Sequence, residues 1–228
     1  MPESTSGVDE GYEDITTRMA SLLKEDDLIF EVPDDVVEAC DDHKYTLIIT
    51  TITRREYGLN ILYNMLQRSW RPSGCIEISS FSQAIYKVKF ELGCDCNNVI
   101  MRSPWGLNED LLLLEVCDPD KLPHEYEFQY TDFTVKVHGL SMSNQKIKMV
   151  EFIASKIGIS YPILVLEQAK FGSFARVRVK IDVTQPIRRE LSFLLPSKKK
   201  CTVNLRYERL PKVYFFCGRF GHIMKLCP

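Results

Sequence analysis

Between residues 45 and 116 the chain alternates two hydrophobic periodicities, and that rhythm constrains its fold more than any other feature. Residues 45–51, YTLIITT, are β-branched and apolar and predict a buried strand. Thr53 and Glu56 then stand at capping-box spacing, and Leu59, Leu62 and Leu66 follow at helical intervals until Pro72 and Gly74 stop the helix. Two strands are predicted next, over residues 75–79 and 84–92, the second alternating through Ile85, Lys87, Lys89 and Glu91. A short helix over 96–102 ends before Pro104, and residues 111–116 make a last apolar strand. The order is βαββαβ, an α+β arrangement of the ferredoxin-like kind that also serves RNA-recognition domains. Trp70 and Trp105, each beside a proline, read as core anchors.

A second α+β unit is expected over residues 130–209. The stretch FTVKVHGLS predicts a strand closed at Gly139, and residues 143–157 an amphipathic helix with Ile147, Val150, Ile153, Ala154 and Ile157 inward. Strands are then expected over 162–166 and 174–183, and a hairpin over 191–195 and 201–207. The expectation is a βαββ unit with an added hairpin, in which the two units share one core. In the strand over 174–183, Arg176, Arg178 and Lys180 alternate with Val177, Val179 and Ile181, so one face is basic and the other apolar.

The charge is polarised along the chain. Residues 1–43 carry fourteen acids against Arg18 and Lys24, a balance of −12, whereas residues 170–225 carry fourteen Lys and Arg against three acids, a balance of +11. The head, poor in aromatics, reads as mostly disordered apart from a short helix around 15–24. It is expected to compete with a polyanion for the basic region, more at low salt.

The basic region runs into YFFCGRFGHIMKLCP, residues 214–228, where Cys217, His222 and Cys227 keep the C-x4-H-x4-C spacing of a zinc knuckle. Gly218 and Gly221 stand where such a turn needs them. The position three residues before Cys217 is Tyr214, whose phenol, with a pKa of about 10, does not readily give up its proton to a metal. Water and Cys201 are the two candidates for the open fourth position. The expectation is a degenerate knuckle over residues 210–228 that holds Zn2+ weakly and reversibly.

At these residues the chain resembles a plant family. RSWRPSGCIEI, MRSPWGLNEDLLLLE, FTVKVHGLS, VRVKIDVTQPIRRELSF and LRYERLPKVYFFCGRFGHIMKLCP occur in the order seen in LINE-type retrotransposon proteins, where a domain of unknown function precedes a C-x2-C-x4-H-x4-C knuckle. The resemblance spans residues 44–228 and implies a nucleic-acid-binding protein, RNA ahead of DNA, with a zinc site. Carried over position by position, the last three ligands fall on Cys217, His222 and Cys227, and the first on Tyr214. The chain ends one residue after the last ligand, whereas family members commonly continue, so a truncated copy is expected.

No nucleophile elbow, phosphate loop or carboxylate pair stands in a context for catalysis, so no enzyme is expected. Cys94 and Cys96 read as structural thiols and His138 as a turn residue. The acidic N-terminus is not a secretion signal and no run is long enough to span a membrane, which places the protein inside the cell, with nucleus and cytoplasm both open. The domains expected are a head over 1–43, a ferredoxin-like unit over 44–118, the second unit over 130–209 and the knuckle over 210–228. The expected activity is non-catalytic binding of single-stranded nucleic acid, with no membrane partner and no small-molecule substrate. Arg176, Arg178, Lys180, Arg188, Arg189, Lys198, Lys199, Lys200, Arg219 and Lys225 are the phosphate-contact candidates, and Phe216 and Phe220 the base-stacking candidates. The alternatives are a protein–protein or self-assembly module working through sheet edges, and a transposon relic without selected activity.

Overall fold

The computed structural model describes residues 43–211, 213 and 217–221. The acidic head up to residue 42 lies outside them, as do Tyr214, Phe216, His222, Lys225 and Cys227. Two five-stranded antiparallel sheets carry the fold. The first runs β1 (Thr46–Thr51), α1 (Leu59–Trp70), β2 (Ile76–Ser82), β3 (Ile85–Phe90), α2 (Gly93–Met101), β4 (Trp105–Leu107) and β5 (Asp110–Val116). Its strand order is β2-β3-β1-β5-β4. The first four of these strands have the ferredoxin-like order, and β4 is an added hairpin strand on the outer edge.

The second sheet runs β6 (Tyr130–His138), α3 (Ile147–Ala154), β7 (Ile159–Ser160), a four-residue helix α4 (Val165–Gln168), β8 (Phe174–Asp182), β9 (Glu190–Leu194) and β10 (Lys200–Tyr207). Its order, β7-β8-β6-β10-β9, repeats that of the first sheet position for position. The difference is one missing element. Where α2 leads into the outer hairpin of the first unit, the second has only the connection over residues 183–189.

The central strand β1 is buried on both faces, so its two sets of side chains enter different cores. Leu47 and Ile49 join Leu62, Leu66, Trp70, Val88, Phe90 and Leu112 beneath the two helices. Trp70 stacks on Phe90 at 5.6 Å and meets Trp105 edge-on at 6.4 Å. On the other face, Ile48, Ile85, Leu111 and Leu113 belong to the same buried cluster as Phe133, Val135, Val177 and Val203 of the second sheet. The two units therefore share a core, with Tyr126 and Phe128 of the connecting segment inside it. This covers the face of the first sheet that its helices leave open.

Four local expectations are corrected. The capping box at Thr53 and Glu56 does not form, because the Thr53 hydroxyl is bonded to the Asp110 carboxylate and Arg54 takes a left-handed φ of 53°. The helix starts at Leu59, so its buried stripe is Leu62, Leu66 and Trp70, with Leu59 exposed. The helix expected over 143–157 is confined to Ile147–Ala154, preceded by a 3-10 turn at Met142–Asn144. The strand expected over 162–166 is absent, since β7 ends at Ser160. Tyr161 still donates to the Arg178 carbonyl at 3.0 Å, but Pro162 has no N–H to continue the ladder. Trp105 lies on β4, a strand not anticipated, and its Nε1 donates to the Val99 carbonyl at 2.8 Å.

The cysteine pair is structural. Asp95 is buried because its carboxylate accepts the amides of Ser73 and Gly74 at 2.8 and 2.9 Å, fixing the turn after α1. Burial pushes the neighbouring Cys96 thiol up to about 11.

Candidate nucleic-acid interface

Helix α3 packs Val150, Ile153 and Ala154 on the inner face of the second sheet, and the alternation of β6, β8 and β10 sends their polar residues outward. Register sets these side by side. Lys136 of β6 lies opposite Arg176 of β8 on one side and Arg206 of β10 on the other. Three cations thus form a row across adjacent strands, about 5 Å apart. Like charges directly opposite one another destabilise a sheet. Glu208 offsets part of that cost, lying 2.7 Å from Arg176 and 3.3 Å from Lys136. Partial burial pushes its carboxyl up, but the hydrogen bonds and charges of those two cations outweigh this and leave it below the ordinary range.

His138 and Phe174 close one end of the face, with rings 5.1 Å apart. Burial first, then the charges of Arg206 and Lys136, hold the His138 imidazole below its usual value, and its Nε2 is buried without a hydrogen-bond partner. At the other end Lys180 lies over the ring of Tyr130 at 5.7 Å. Lys136, Arg206, Tyr130 and Phe174 were not anticipated as site residues. The signal was present in VKVH and VNLRY, where each charge occupies an outward position of an alternating strand.

The anticipated residues fare differently. Arg178 faces outward, but its guanidinium donates to the carbonyls of Met101 and Ile100 at 2.5 and 3.2 Å, closing the C-terminal end of α2. It also pairs with Asp132 at 3.1 Å, and Tyr161 donates to the same carboxylate. Arg178 is a clamp between the two units. Replacing it with Met is expected to destabilise the protein by about 2–3 kcal/mol through the loss of charge-assisted bonds, measured by urea unfolding. A variant of unchanged stability but weaker RNA binding would make Arg178 a phosphate contact instead. Arg188 and Arg189 are exposed on the connection before β9, and Lys198–Lys200 occupy the β9–β10 turn, with Lys198 at a φ of 58°.

The knuckle residues that are described sit against the body. Gly218 has a φ of 72°, its carbonyl accepts the Ile187 amide at 3.0 Å, and a Cβ there would meet the Ile187 carbonyl oxygen at 3.0 Å. Arg219 donates to the Thr184 carbonyl at 3.0 Å. Phe220, expected to stack on bases, is instead 7% exposed and stacks on Phe133 at 6.0 Å with the ring planes 20° apart. It is a core residue, drawn inward because the missing helix leaves apolar surface to cover.

Cys217 and the two left-handed glycines, Gly221 at 73°, fit the turn of a knuckle. Among the described residues no group of three His, Cys, Asp or Glu side chains is placed to hold a metal, His222 and Cys227 lying outside them. Cys201 does not suit the fourth position. The Arg189 carbonyl, near the knuckle, bonds Leu205, and Cys201 lies four residues further along β10, pairing with Phe193. That separation is about 13 Å of extended strand, too far for two sulfurs to share a tetrahedral ion. Among the described residues no helix is long and apolar enough to cross a membrane.

A family model described as a zinc knuckle matches residues 181–228, so a CCHC-type knuckle is found at the C-terminal end of the chain. No curated protein matches the chain. Among solved structures, the RNA-binding domain of Hrp1 in complex with RNA is 12% identical, covering 73% of this chain and 99% of its own, with a TM-score of 0.27. The first two RRM domains of the yeast poly(U)-binding protein Pub1 are 10% identical, covering 72% and 98%, with a TM-score of 0.25.

Proposed function

We propose that this protein binds single-stranded nucleic acid, RNA ahead of DNA, without catalysing a reaction, on the outer face of its second sheet. The observation that carries the proposal is the row Arg176–Lys136–Arg206, three like charges held in register on adjacent strands with Glu208 as the only carboxylate bridging two of them. Such a row costs the fold stability unless a polyanion supplies the missing counter-charge. The knuckle at residues 181–228 supports the same reading. Descent from a plant LINE-type retrotransposon protein is part of the proposal and rests on the sequence segments quoted above.

The test is a salt titration of binding to a single-stranded RNA oligonucleotide. Each phosphate contact contributes about 0.7 to the slope of log K against log salt for single strands, so Lys136→Gln with Arg206→Gln is expected to flatten it by about 1.4. An unchanged slope in a folded double variant would remove this face from the interface.

Self-association is a second reading, favoured by the apolar groove between α3 and β9. Met149, Phe152 and Leu194 line it, the last two 44% and 72% exposed. Salt-insensitive dimerisation in sedimentation velocity, abolished by Phe152→Glu, would favour it over RNA binding.

A further inference from the structure

The cations of the second sheet fall into two sets. Arg176, Lys136 and Arg178 all have carboxylate partners within the fold. Lys156, Lys180 and Arg188 are exposed and make no ion pair among the described residues. These three come from separate elements, the end of α3, β8 and the connection before β9, yet they line one groove of about 550 Å³. Tyr130, 40% exposed, lies in its wall.

Two features build the groove. Gly158 lets the chain after α3 press against β8: a Cβ there would come within 2.3 Å of the Lys180 carbonyl oxygen. Lys156 is thereby brought beside Lys180. On the opposite wall, the buried Tyr207 hydroxyl donates to the Arg188 carbonyl at 2.6 Å and fixes the backbone that carries the guanidinium. Asp182 is the one acid in the lining, and its carboxylate is already taken by Thr184 and Gln129.

We infer that this groove is a nucleotide site, in which Lys156, Lys180 and Arg188 take one phosphate of the bound strand and the Tyr130 ring takes the adjoining base. The inference rests on the proposed RNA binding and says where along the sheet one nucleotide is gripped. Unpaired cations give a phosphate its charge without first breaking an internal ion pair, and desolvated Arg–phosphate contacts are among the stronger hydrogen bonds. Lys180, already 5.7 Å from the Tyr130 ring centre, sits where a phosphate and its base would be one nucleotide apart.

The experiment uses the full chain and adenosine 5′-monophosphate as the probe, mapped by backbone amide NMR. Shifts are expected at Lys156, Gly158, Lys180 and Arg188, with inorganic phosphate binding more weakly because it has no base. Tyr130→Ala should weaken the monophosphate about tenfold, and Tyr130→Phe should leave it unchanged. Lys156→Gln, Lys180→Gln and Arg188→Gln together should abolish the shifts and flatten the RNA salt slope by about 2. If the monophosphate leaves the groove signals unmoved while RNA still binds through Lys136 and Arg206, the groove assignment is overturned and the wider reading survives. If RNA does not bind at all but the monophosphate does, the wider reading fails and the groove stands as a mononucleotide site. Equal affinity for phosphate and monophosphate would overturn the role given to Tyr130.

Discussion

Tyr214→Cys is expected to turn a weak zinc site into a tight one. A four-ligand structural site is worth roughly 10–16 kcal/mol of apparent binding energy, so one ligand's share corresponds to about a hundred- to a thousandfold in affinity. The rest of the turn is in place: Gly218 and Gly221 already have left-handed φ values of 72° and 73°, and Gly218 is tied to Ile187. The wild-type protein should release its zinc to a mild chelator, whereas the variant should keep one ion per chain, measured as metal per protein after dialysis. Cys201→Ser should change neither, because the strand holds that thiol away from the knuckle. A wild type that already retains one zinc as firmly as the variant would mean that a fourth ligand is present and that Tyr214 is no lesion.

Phe220→Ala should destabilise the whole protein by about 3 kcal/mol, in the lower part of the range for a buried phenylalanine. For a domain of this size that is a fall in Tm of about 6–12 °C. The reason is the stack on Phe133, itself fully buried at the centre of the shared core. Phe220→Leu, which refills part of the space, should recover about half of the loss. Thermal unfolding decides the matter: an unchanged Tm with weaker RNA binding would return Phe220 to the surface as a base platform.

The βαββαβ order could be read from residues 45–116 because each element there announces itself locally. The run TLIITT, the leucines of α1 and the alternation IYKVKF do not depend on distant partners. The faces of β8 were legible for the same reason. What stands in front of those faces was not. Arg178 looks like a phosphate contact from RVRVKID alone, but the carbonyls that claim it belong to Ile100 and Met101, remote in sequence. Glu208 likewise falls in a turn-like stretch and gives no sign that it will sit between Lys136 and Arg176. The strand expected over 162–166 failed on a cue present in the sequence, Pro162. Phe220 was misassigned for a deeper reason. Between glycines and an arginine it has no apolar periodicity, and only the absence of a helix between β8 and β9 makes a place for it.

The shared core also dictates the order in which the protein can be completed. A chain leaves the ribosome from its N-terminus, and β1 to β5 can pair as soon as residue 116 has emerged. Ile48, Ile85, Leu111 and Leu113 then face outward until the second sheet and Phe220 arrive to cover them. Contacts of such wide sequence separation close slowly. For the time it takes to synthesise about a hundred more residues, seconds at ordinary rates of translation, the nascent protein carries a bare apolar sheet face. That interval is where a holdase chaperone would engage it, and where a premature stop before Phe220 would leave it exposed.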